Sequence, residues 1–149
     1  WVAIEIWDFG TMSILFAGMK GNDRNRVGAK YGVADGHVFG SWLRSLNYIR
    51  NVCAHHSRLW NRNVVEQAKL PTAADSRELA TFIGQPDLIA RPFFYFCILQ
   101  WLMREICPNS HWHVRFKEHL LNFPGDSNQI CSLAQMGCPP GWEAWPLWQ

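Results

Sequence analysis

Thirteen residues, RNVCAHHSRLWNR from Arg50 to Arg62, concentrate the groups that handle phosphate and protons. They hold three arginines, two asparagines and the adjacent pair His55 and His56, with no carboxylate among them. A guanidinium forks onto two phosphate oxygens, and an imidazole takes or gives a proton near neutral pH. The pair suits cleavage of a phosphodiester without a metal. The acid-free run is longer than the tract itself. Between Asp35 and Glu66 there is no acid, while Arg44, Arg50, Arg58 and Arg62 all lie inside.

A helix has to position these groups. At about 100° per residue, Val38, Trp42, Leu46, Ile49 and Cys53 fall on one line, a core stripe, and His56 extends it. Arg44, Tyr48, Asn51 and His55 fall on the opposite side, and Arg50 lies on a flank. His56 is therefore expected to face the core near the helix end, as a structural imidazole or a further contact. His55 is expected on the outer face, where Asn51, one turn earlier, is placed to orient its ring. Arg50 lies about 7.5 Å from His55 along the axis, within reach of a shared phosphate. A solvated surface histidine is the plain alternative.

Helical spacing continues elsewhere. Ile4, Trp7, Thr11, Leu15 and Gly18 trace a first helix closed by Gly21 and Asn22, and residues 22–33 read as a short polar helix or turn. Asp35 suits the N-cap of the long helix, Gly36 to about His56. Asp75 with Glu78, and Asp126 with Gln129, have capping-box spacing. Pro92 suits a first turn, Pro108 ends that helix, and Asn109 or Ser110 caps another running to Leu121. Gly137 suits a helix C-terminus. Phe93 to Phe96 read as core. Trp142, Trp145 and Trp148 put an aromatic tail on the bundle in extended or turn form. The long loop from Ser57 to about Ala74 suggests function. The fold class is all-α, and no convincing strand or repeat is visible.

Size and composition agree with one domain over residues 1–149, 48% apolar and 14% aromatic, well outside the disordered range. A net charge of +2 does not by itself announce nucleic acid; its distribution says more, since the acid-free segment alone carries +4. Five cysteines without scaffold spacing favour a reducing cytoplasm. The apolar run from Pro92 to Ile106 is too short to span a membrane. The chain begins with Trp, and is expected to be a fragment of a longer protein.

The stretch WLRSLNYIRNVCAHHSRLWNR, residues 42–62, closely resembles Abi-like abortive-infection proteins of the AbiD/AbiF type, and Arg50-Asn51-x-x-x-His55 resembles the R-x(4–6)-H signature of HEPN domains. Glu5, Phe9-Gly10-Thr11-Met12-Ser13, Met136-Gly137, Trp142 and Pro146-Leu147-Trp148 extend the resemblance over nearly the whole chain, as the C-terminal part of a family member lacking its N-terminal region. The resemblance implies a HEPN-like helical bundle with the aromatic tail packed on it, acting in phage defence as a toxin-like, metal-independent RNase. The RNA 2′-hydroxyl attacks and leaves a cyclic phosphate, which selects RNA over DNA. On that reading Arg50 stabilises phosphate charge, His55 moves protons and Asn51 orients. Arg44, His56, Arg58, Asn61 and Arg62 bind RNA or brace the loop. No cofactor and no metal is expected. The implied partners are RNA, as substrate or as a restraining small RNA, and a second copy in a homodimer; no membrane and no DNA. Related toxins are silenced by modification of a tyrosine shortly after the histidine, where this chain has Ser57 and Leu59.

Two rivals use the same residues or their neighbours. A bundle that grips RNA without cutting it needs the same arginines. A zinc site at Cys107, His111 and His113 has C-x3-H-x-H spacing but no paired C-x2-C element. Cys53 as a nucleophile beside His55 or His56 conflicts with its place on the core stripe.

Overall fold

Short polar side chains start two of the N-terminal helices by capping bare amides. Asp8 Oδ1 accepts from the Thr11 amide at 2.7 Å, and Asp35 Oδ1 accepts from the His37 amide at 2.7 Å. The computed structural model describes residues 8–72, 77–124 and 131–149. These are all-α, with no strand among them: α1 (Phe9–Gly18), α2 (Gly21–Ala29), α3 (Gly36–Ala54), α4 (Pro86–Ile89), α5 (Pro92–Ile106), α6 (Trp112–Leu121) and α7 (Leu133–Met136). Short 3-10 helices occupy Arg77–Phe82, Trp142–Ala144 and Pro146–Trp148.

Asp8 caps α1, which starts at Phe9, and Ile4 and Trp7 of the expected first helical face lie outside the described residues. One expectation is corrected. Gly21 opens α2 instead of closing α1. The capping boxes at Asp75 and at Asp126 with Gln129 fall outside the described residues as well. Pro92 stands in the first turn of α5, and Gly137 ends α7 at φ 89°, as expected.

Three helices set the direction of α3. It packs on α2 and α1 and crosses α5. The turn between α2 and α3 closes tightly. The Gly36 amide donates to Asn25 Oδ1 at 2.9 Å, and a Cβ at Gly36 would stand 2.5 Å from Arg24 Cβ and 2.6 Å from the Arg24 backbone. Only glycine permits that approach.

The core is aromatic. Phe93 and Phe94 on α5 are fully buried, Tyr95 nearly so, and Phe96 partly. The tail wraps Phe93. Trp142 and Trp145 meet it edge-on, with ring centroids at 5.1 and 6.0 Å, and Trp148 stacks on it at 6.0 Å. Trp148 also stacks on Phe116 of α6 at 5.2 Å, and Lys117 Nζ donates to the Glu143 carbonyl at 3.0 Å. The tail is therefore part of the core, as the tryptophan spacing suggests. An apolar groove of about 610 Å³ runs between α1, α3 and α5, lined among others by Phe9, Met12, Leu46, Ile49 and Leu99. Arg50 is its single charged lining residue.

Candidate nucleic-acid interface

The outer stripe of α3 is half satisfied by the chain itself. Arg44 and His55 are exposed; Tyr48 and Asn51 are partly covered. Arg62 folds back over the helix. Its Nε donates to Tyr48 Oη at 2.8 Å, and its guanidinium carbon lies 5.7 Å from the Tyr48 ring centroid. Asn51 Oδ1 accepts from Arg50 Nη1 at 2.9 Å, so the amide is joined to the arginine. The expected Asn51 role was to orient the His55 ring.

His55 and His56 end the helix together. His55 is the C-cap of α3, and His56 takes φ 52°, the only positive φ outside glycine among the described residues. The His56 amide donates to the Cys53 carbonyl and the Ser57 amide to the Val52 carbonyl, both at 3.0 Å, the bond pair of a Schellman motif. That corrects one expectation. His56 does not face the core; it is exposed, because the chain has left helical geometry before reaching it. Cys53 is corrected likewise. It continues the core stripe in angle but is exposed and lines the open groove.

Arg50 and His55 are both exposed. Five residues apart on a helix, they are separated by about 140° around the axis. No hydrogen bond or ion pair among the described residues joins them. Asp8 is the acid that senses Arg50. Its carboxyl is held below its ordinary value by the Thr11 amide first, then the Thr11 hydroxyl, with the Arg50 guanidinium adding to both against a small opposing burial effect.

The rest of the tract is braced from a distance. The Asn61 carbonyl accepts from Arg91 Nη1 at 2.9 Å, and the Trp60 indole donates to the Ser132 carbonyl at 3.1 Å. Gly137 lets Arg91 pass, since a Cβ there would meet Arg91 Cβ at 2.5 Å. Asn61 Oδ1 is buried and has no partner among the described residues. Arg58 is exposed. The following loop is irregular yet pinned to α3. Ser41 Oγ accepts from the Lys69 amide at 2.8 Å, and the fully buried Trp42 donates from Nε1 to the Lys69 carbonyl at 2.8 Å.

Sequence reasoning missed Tyr48 and Arg91 as braces; their partners lie 14 and 30 positions away in the chain. Among the described residues no group of three or more His, Cys, Asp or Glu side chains could hold a metal. What the surface offers is a set of exposed cationic and imidazole groups, Arg44, Arg50, His55, His56 and Arg58, distributed around the C-terminal half of α3 and the residues just after it. The ion pairs among the described residues involve Arg26 and Arg104 and none of these five.

Residues 1–61 match the family model described as Abi-like protein. The match takes in α1 to α3 and the basic tract up to Asn61. No curated protein and no solved structure matches.

Proposed function

We infer, from the premise that residues 1–61 make this chain an Abi-like protein, that it acts in abortive-infection phage defence as an RNase of the HEPN type. The observation that carries the reading is that Arg50 and His55, within a run of sequence free of acids, are both open to solvent at the end of α3. Arg50 bonds a non-bridging oxygen of the scissile phosphate. His55 takes the 2′-hydroxyl proton as the 2′ oxygen bonds phosphorus, or returns a proton to the departing 5′ oxygen. The products are a 2′,3′-cyclic phosphate and a free 5′-hydroxyl. No metal enters the step. Asn51 holds Arg50, while Arg44, His56 and Arg58 steer the backbone; Arg62 braces Tyr48 and Asn61 braces the loop.

A second reading is favoured by one observation: Arg50 and His55 project about 140° apart. A module that binds RNA, including a restraining small RNA, without cutting it needs no convergence of the two. Growth arrest on induction and RNA cleavage in chelator separate the readings. Intact protein should arrest and cut, and Arg50→Ala and His55→Ala should each lose at least about a hundredfold in cleavage, the usual worth of a general acid or base. Equal cleavage by all three proteins removes the catalytic assignment. RNA binding without cleavage by the intact protein establishes the second reading.

A further inference from the structure

The groove of about 610 Å³ between α1, α3 and α5 leaves hydrophobic surface open to water. Its floor is core, with Phe16, Phe39 and Leu102 buried, while its rim exposes Phe9, Met12 and Ile106. Protein interiors are packed too closely to hold such a space, and apolar surface left open in this way marks a place where something binds. The volume lies within the roughly 300–1,000 Å³ of small-molecule sites.

Length and lining narrow the occupant. On α3 the lining runs from Phe39 to Cys53, about 21 Å of helix, so an occupant that follows it is elongated. Among the described residues no carboxylate or carboxamide lines the groove. Tyr31 and Cys53 contribute a hydroxyl and a thiol, and the one charge is Arg50, near the Cys53 end. A peptide laid there in extended form would strand its N–H and C=O groups against hydrocarbon. A helix satisfies its own backbone, but protein partners also need a polar rim, and this rim is largely apolar. One cation at one end of an apolar trough matches one anion at one end of an alkyl chain. Arg50 is equipped for that anion. It is exposed, and no ion pair among the described residues involves it. Its Nη1 donates to Asn51 Oδ1 at 2.9 Å, which leaves other guanidinium N–H groups to fork onto a carboxylate.

We propose that the groove binds one long-chain fatty acid as a free monomer, its alkyl chain along α3 and its carboxylate on Arg50. Binding does not depend on the function inferred above. Its consequence does rest on that reading: the carboxylate occupies the guanidinium that the proposed cleavage uses.

The probes are decanoate, 1-decanol and decyltrimethylammonium, each below its micelle-forming concentration, titrated calorimetrically into the whole chain. One decanoate should bind per chain, roughly tenfold tighter than the alcohol or the cation, and octanoate should bind several-fold more weakly than decanoate. Arg50→Leu, a change at an exposed position, should erase the preference for the acid while the alcohol still binds. Leu99→Trp, which fills the groove from α5, should weaken all three probes, with circular dichroism and a melting curve verifying its fold. Cys53 is exposed and lines the groove, so saturating decanoate should slow its alkylation by iodoacetamide several-fold in mass spectra. Cys107, exposed beside a different recess, should keep its rate. No decanoate binding, equal affinity for acid and alcohol, a preference that survives Arg50→Leu, or Cys53 alkylated at an unchanged rate overturns the proposal. Capture of phosphatidylglycerol vesicles through the groove, lost in Leu99→Trp, without capture of monomeric decanoate assigns it to a membrane surface and overturns it as well. Decanoate binding by a chain that cuts no RNA supports the groove and removes the RNase reading. Cleavage that saturating decanoate leaves unchanged, with the acid preference established, counts against the catalytic role of Arg50 and not against the groove.

Discussion

His56 holds a left-handed backbone conformation that L residues other than glycine adopt at a cost of about 1–2 kcal/mol. Its side chain is exposed, so packing does not account for its presence. Glycine relaxes the strain and keeps the helix stop. We expect His56→Gly to raise stability by up to about 1 kcal/mol in urea unfolding. Loss of growth arrest in that stabler variant would give the imidazole a functional role; full arrest would make it a helix terminator only. His55 and His56, identical in type and adjacent, thus have separable jobs that one substitution distinguishes. Asp8 is a contrasting case. Its depressed carboxyl contributes stability above the ordinary value of 3.8, and that contribution is lost as pH falls through the lower folded value.

At the scale of elements, what the sequence made legible were local starts and stops. Asp35, Pro92 and Gly137 stand where cap and turn chemistry put them, because each acts on its own few residues. Extrapolating the stripe of α3 to His56 failed since a 100° period means nothing once the helix has ended. Cys53 failed for another reason: its angle was right, but the side it faces is a groove. The braces on Tyr48 and Asn61 come from residues brought near only by tertiary packing, which periodicity does not encode. The α2–α3 turn yields a direct test. Gly36→Ala forces a Cβ to within 2.5–2.8 Å of Arg24 and the Asn25 amide, which flexible side-chain ends cannot relieve. The helices must part, at a cost of about 1–3 kcal/mol, read as a lowered urea midpoint. Unchanged stability would mean the turn is looser than its contacts imply.

Across the whole molecule, acid groups are sealed into the aromatic core around α5. Burial raises Tyr95 from 10.0 to about 12 and Cys138 from 9.0 to about 12, and holds Cys97 well above 9.0. The folded chain keeps these protons when the unfolded chain would release them. Their contribution is complete below pH 9 and is lost as pH rises from there toward 12. Melting temperature should therefore fall steeply across that window, and Cys97→Ala or Cys138→Ala should flatten the fall. A melting temperature level from pH 8 to pH 11 would contradict the burial of these groups. No helix of the described residues is long and apolar enough to cross a membrane.

The attachment of the loop to α3 passes through the main chain of residue 69, while the lysine side chain there is exposed. Whatever hangs from that position is mechanically idle. A dye or photoreactive group coupled to a cysteine at 69 would ride rigidly on the same helix as the cationic groups, reporting what approaches them without disturbing how the chain is held.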